Sequence, residues 1–211
     1  MTSPSPASSS DEPVYQDRVY RSPMAIVGGV LLLALLAWLC GDAIVRGKGN
    51  APWFGVAGAL LTVPLTVAFT LRPAVFAGPD RMRVRNPFRS IELPWAAVDT
   101  VRSGYSAEVL TENAKYQLWA IPVSLRDRKK ANRQIARREA LARKGETDPE
   151  VLGTGTPRAQ ADRHVDELRE LAEQGAKREG AQGPATVRWA YEIIAPAVAG
   201  AVLMIVLLAT R

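Results

Sequence analysis

The sequence predicts an α+β membrane protein: a transmembrane helical hairpin, a cytoplasmic antiparallel β domain with a helical insertion or cap, and a C-terminal transmembrane helix. Three observations predict it. Apolar residues collect in three blocks, 24–45, 51–71 and 189–210, each near the ~20 residues that cross ~30 Å of hydrocarbon as a helix. Short segments with period-two alternation fill the stretch after Arg72-Pro73. An amphipathic helical pattern and a basic run then separate those segments from the last apolar block.

Residues 1–23 form the first unit, an N-terminal tail expected to be disordered. Their first part, "MTSPSPASSSDEP", holds almost nothing apolar to bury and is expected to be disordered. The hairpin occupies 24–71, with helices over 24–45 and 51–71 joined by "RGKGN". A loop of five residues makes the two helices antiparallel neighbours. The first block comes after 23 polar residues and has no small-x-small pattern close behind it, which argues against a cleaved leader. The single cysteine, Cys40, is preceded by Leu39 rather than a small residue, and reads as a small apolar side chain within the helix. Gly55 and Ala59, and likewise Ala197 and Ala201, lie four apart, a spacing that lets helix backbones approach in lipid. Pro64 and Pro196 are expected to bend their helices rather than end them.

The β domain is expected over 72–123. "AVFA" (74–77) is a short strand and "GPD" a turn. "RMRVRN" alternates, with Met82 and Val84 on one face and Arg81, Arg83 and Arg85 on the other. Further strands are expected over 90–94, 98–104, 107–110 and 116–123. Residues 124–185 hold the rest of the cytoplasmic body. Their basic segment, 125–145, carries nine Lys or Arg against Asp127 and Glu139. An amphipathic helix is expected over 158–179, with Ala161, Val165, Leu168, Leu171 and Ala172 on one stripe. The last unit, 186–211, is the third transmembrane helix.

From the hairpin onward the chain resembles a known family. An apolar hairpin, then "RMRVRNPFR", then "LPWAAVDTV" is similar to bacterial PH-like domains of the low-molecular-weight protein antigen 6 type. In that family the tryptophan after the third strand is the landmark, matched here by Trp95 with Val98 and Val101 as structural anchors. The resemblance spans about residues 24–123 and implies two curved antiparallel sheets capped by a helix, for which 158–175 is the candidate. The basic insertion and the third transmembrane helix depart from the short family members.

Chemistry of a catalytic kind finds little support. The one histidine, His164, sits on a charged flank of a helix, where solvated surface is the expectation, and no spacing fits a metal site or a nucleophile elbow. No catalytic residue, no metal and no cofactor is therefore expected. Glu192 is the one acid near a span to weigh functionally, against an interfacial role beside Arg188; Asp42 reads the same way at the other end of the first helix.

Binding is the better supported class. Arg81, Arg83, Arg85 and Arg89 lie close to the second helix, and Lys129, Lys130, Arg133 and Arg137 lie in the basic segment. Both groups suit anionic lipid headgroups at the bilayer, a protein partner or a second copy of the chain. The basic segment also suits the acidic helix C-terminal to it. Nucleic acid is disfavoured because the basic run lacks an aromatic residue for stacking. The leading reading is a non-catalytic binding or scaffolding module at the membrane surface. The alternatives are a structural subunit that recruits a partner protein to a membrane complex, and a small membrane enzyme or transport accessory using Glu192.

Orientation comes from charge. Of 27 Lys and Arg residues, 22 lie between Arg72 and Arg188, so the positive-inside rule sets that body and the N terminus in the cytoplasm and the C terminus outside. A cysteine placed at Asn50 is accordingly expected to react with an impermeant thiol reagent on intact cells. Protection until lysis would invert the topology.

Overall fold

The computed structural model describes residues 17–123 and 160–210, together with Lys129, Arg133 and Ala136. Strand β1 (Arg18–Tyr20) leads into helix α1 (Pro23–Arg46). Ser22 caps that helix by accepting from the Ala25 amide at 3.3 Å, with Pro23 at the first helical position. Helix α2 (Ala51–Thr66) continues through a π turn (Val67–Leu71). Among the described residues three helices are long and apolar enough to cross a membrane: Pro23–Arg46, Ala51–Leu71 and Tyr191–Ala209, the last being α4. Pro64 and Pro196 lie inside continuous helices. Threonines 62 and 66 of α2 and Thr70 of the π turn each donate to the carbonyl four residues back, so their hydroxyls are satisfied within the helix.

Small residues set the helix contacts. A β-carbon on Gly200 of α4 would stand 2.5 Å from the Leu61 backbone nitrogen, and one on Gly55 would meet Ile44 and the Cys40 carbonyl of α1. Of the small residues singled out in the sequence, Gly55 therefore packs within the chain, and Ala197 is buried beside Gly200. Small residues at these crossings let the helix backbones come into direct contact.

Among the described residues the polar body contains two antiparallel sheets. Sheet I has the order β1, β2 (Ala74–Ala77), β3 (Arg81–Arg85), β4 (Arg89–Pro94) and β8 (Thr186–Trp189). Sheet II is the meander β5 (Thr100–Ser103), β6 (Ala107–Thr111) and β7 (Ala114–Gln117). Helix α3 (Gln160–Gly175) lies over the core with Ala161, Val165, Leu168 and Ala172 buried against residues of both sheets. Met82, Val84, Ile91 and Leu93 come from sheet I, and Val101 and Val109 from sheet II. Trp95, in a short 3-10 turn after β4, is 1% exposed and donates its indole N–H to the Gly78 carbonyl at 3.0 Å. Val101 is buried with it and Val98 packs against the same core.

Several boundaries differ from the sequence expectation. Residues 18–20 and 186–189, expected in the disordered N-terminal tail and in the third transmembrane helix, are instead edge strands of sheet I. Three or four residues carry too little periodicity to reveal a strand whose partner is far along the chain. The last expected strand, 116–123, ends at Gln117 because the buried Asn86 side chain donates to the Gln117 carbonyl at 2.9 Å and the chain turns. His164, expected on solvated surface, meets Tyr20 edge-on with its ring at 5.0 Å. Tyr20 donates to Glu167 at 3.0 Å, and Arg18 pairs with the same carboxylate at 3.0 Å, so α3 is clamped to β1. Burial, with that hydrogen bond and charge added, pushes the Tyr20 phenol up to about 12. The expectations for residues 1–13 and the pairing of the 125–145 segment lie outside the described residues.

The end of α3 meets the landmark tryptophan without clearance. A β-carbon on Gly175 would stand 2.8 Å from Trp95 Cγ and closer still to Cδ1. Gly175→Ala is thus expected to destabilise by about 1–3 kcal/mol through overpacking, read as a lower thermal midpoint in detergent. Gly41→Ala, with open space around it, should not; equal midpoints for the two variants would contradict the packing.

Candidate functional site

All three apolar helices join sheet I at one end. β1 ends at Tyr20 just before α1, β2 begins at Ala74 just after the π turn, and β8 ends at Trp189 just before α4. The register carries that end across the sheet, with Ala74 opposite Arg85, Arg85 opposite Ser90, and Ser90 opposite Arg188. Directly opposite residues share a face, so Arg85, Ser90 and Arg188 form one row on the outer face of the sheet, next to the helices. The next row away from the helices is Phe76, Arg83, Glu92 and Thr186.

The π turn brings Arg72 to the same place. Closing its ring from the Arg72 amide to the Val67 carbonyl at 2.9 Å adds a residue to the turn and re-aims the chain as it enters β2. The guanidinium donates to the Asn86 carbonyl at 3.2 Å, to Ser90 Oγ at 3.2 Å and to Glu192 Oε1 at 2.9 Å. A cleft of about 250 Å³ opens beside it, lined by Arg72, Arg83, Arg85, Ser90, Glu92, Arg188, Trp189 and Glu192. Four guanidiniums against two carboxylates leave a formal surplus of two positive charges.

The four arginines singled out in the sequence part company here. β3 runs toward the helices, so Arg81 lies about 13 Å further from them than Arg85 at ~3.3 Å per residue. Arg81 and Arg83 both face Glu92, at 3.9 and 3.2 Å. Arg85 stacks over the Phe76 ring at 4.9 Å, and Arg89 over Tyr116 of sheet II at 5.7 Å. By strand alternation Arg89 falls on the opposite face from Arg85. Of the four, only Arg83 and Arg85 line the cleft. Lys129 and Arg133 are exposed helical residues; Lys130 and Arg137 lie outside the described residues. Arg72, Ser90 and Arg188 escape a reading of the sequence, since Arg188 comes 116 positions after Arg72 and no local spacing joins them.

Aromatic side chains mark the level at which the helices leave. Phe69 in the π turn meets Phe88 at 5.4 Å and Trp119 at 5.6 Å, while Trp189 and Tyr191 are exposed at the β8–α4 junction. Aromatic residues gather at membrane–water interfaces in this way. Among the described residues no cluster of three or more His, Cys, Asp or Glu could hold a metal. Glu192, the acid near a span, pairs with Arg72 at 2.9 Å.

Fold and site define an α+β protein whose two-sheet domain is fixed to apolar helices of membrane-spanning length. The family model described as bacterial PH domain matches residues 72–147, which takes in β2 through β7. No curated protein and no solved structure matches the chain.

Because Arg72 holds a carbonyl, a hydroxyl and a carboxylate at once, its loss should exceed that of its acid partner. Arg72→Gln is expected to cost about 2 kcal/mol, and Glu192→Gln less than about 1 kcal/mol, the pair being solvent-facing. Thermal unfolding of the two variants would check this, and equal losses would contradict it.

Proposed function

We propose that the chain is an integral membrane protein of the low-molecular-weight protein antigen 6 type. It presents its PH-like domain on the cytoplasmic side as a non-catalytic binding and scaffolding module. The observation that carries this reading is the convergence of three strand–helix junctions on one end of sheet I, where Arg72, Arg85 and Arg188 are gathered. Basic residues within reach of an anionic bilayer surface contribute about 1 kcal/mol each. PH domains are binding modules as a class, and the match over residues 72–147 supports the same class here.

A second reading, a subunit that recruits a partner protein, is favoured by β8. All four of its residues are exposed, and its outer edge is unpaired among the described residues. Such an edge can accept a strand from another chain.

One experiment separates the two. A photoreactive phenylalanine placed at Trp189 of the full chain in native membranes should yield lipid adducts richer in anionic lipid than the bulk membrane. That enrichment should fade at about 1 M salt, where charges are screened beyond ~3 Å. Adducts in bulk proportion would defeat the lipid-surface reading, and adducts dominated by one protein would install the second.

A further inference from the structure

We infer that the Arg85–Ser90–Arg188 row, with Arg72, is a specific site for a phosphomonoester headgroup of a membrane lipid. This rests on the membrane-surface reading above and deepens it. Pairing of charges distinguishes the two rows of the outer face. In the second row Arg83 faces Glu92 at 3.2 Å, so its charge is answered within the sheet. In the row beside the helices Arg85 and Arg188 flank Ser90 from either side, two strand spacings or about 10 Å apart. Neither has a carboxylate within 4 Å among the described residues; Arg85 rests on the Phe76 ring instead. Two cations held across a hydroxyl are complementary to an anion seated between them.

Chemistry at the centre agrees. Ser90 Oγ accepts from Arg72 at 3.2 Å, which leaves its own proton free to be donated outward. The Arg72 guanidinium is held by the Asn86 carbonyl and Glu192 as well, so its orientation is set before any ligand arrives. Planar guanidiniums grip phosphate oxygens in pairs, and a hydroxyl donor supplies a further contact.

Charge and size select the kind of phosphate. The cleft has a surplus of two positive charges. A phosphomonoester carries about −1.5 to −2 near neutrality, whereas a phosphodiester carries one. The volume, about 250 Å³, falls below the ~300–1,000 Å³ of pockets that enclose a whole small molecule. It takes a small charged group and leaves the remainder outside. The remainder has a place to go, because of the lining residues Trp189 stands just before the apolar helix α4 and Glu192 lies in its first turn.

The test uses the full chain in zwitterionic nanodiscs, titrated with phosphatidic acid, phosphatidylglycerol or inorganic phosphate. Binding is read by native mass spectrometry and by thermal shift. Phosphatidic acid should bind at least about tenfold more tightly than phosphatidylglycerol, and inorganic phosphate should compete only weakly. Arg85→Gln and Arg188→Gln should each weaken phosphatidic acid binding by about tenfold or more, the loss expected for a charged hydrogen bond. Arg102→Gln, on sheet II, should not, and serves as the folding and charge control. Equal affinity for the two lipids would overturn the monoester assignment. Inorganic phosphate binding as tightly as the lipid would overturn the lipid source in favour of a soluble phosphate compound. If the Trp189 adducts remain enriched in anionic lipid while neither arginine variant alters phosphatidic acid binding, the specific site fails and the general surface reading stands.

Discussion

The fold hangs on a guanidinium that cannot be left alone. Arg72 comes directly after the last turn of an apolar helix, with its side chain only 17% exposed. A charge so placed must be answered by hydrogen bonds or the junction opens. Its three partners belong to three different parts of the chain: the Asn86 carbonyl in the β3–β4 turn, Ser90 in β4, and Glu192 in α4. Asn86 carries the chain of contacts further, since its buried amide donates to the Gln117 carbonyl at the end of sheet II. Two polar side chains thereby tie the helices to sheet I and sheet I to sheet II. A small apolar cluster of Ala68, Ala190, Ile193 and Phe88 packs where the helices meet the sheet.

Three attachments to one sheet end have a consequence that one attachment would not. A domain on a single linker samples many heights and tilts, and its encounter with a surface is set by an effective concentration in the millimolar range for short linkers. Here β1, β2 and β8 each pass into a helix within three residues. Rotation about any one junction is blocked by the other two. Contacts made by the helix-proximal row therefore need little affinity of their own, because the anchor has already removed most of the orientational freedom that association costs.

Local pattern made much of this legible and long-range pairing hid the rest. The alternation in "RMRVR" and "SIEL" is visible because each strand buries Met82 and Val84, or Ile91 and Leu93, against one core. The amphipathic stripe of α3 is visible for the same reason, Val165 and Leu168 being buried one turn apart. The apolar spans are legible from length alone. β1 and β8 were illegible because an edge strand of three or four residues is specified by its neighbour rather than by its own periodicity. Val19 is exposed, as are all four residues of β8, so neither segment shows an alternation strong enough to read. The site was split by the same limit. Arg85 could be found in the strand, but its place beside Ser90, Arg188 and Arg72 depends on the pairing of β4 with β8 and on the π turn.

Register is what gives the outer face its division of charge. One row away from the helices, Glu92 stands directly opposite Arg83 and within 4 Å of Arg81, so two arginines share one acid. In the row beside the helices the residue in Glu92's column is Ser90, which answers neither Arg85 nor Arg188 with charge. The acid that does approach, Glu192, belongs to α4 and makes its ion pair with Arg72. A slip of β8 by one residue would turn Arg188 to the inner face of the sheet, as any such slip does to every side chain of a strand. The same slip would draw α4 along by one residue and carry Glu192 away from Arg72. The surplus of positive charge at the helix-proximal row is therefore a property of strand register and of the residue at which α4 begins, rather than of arginine content.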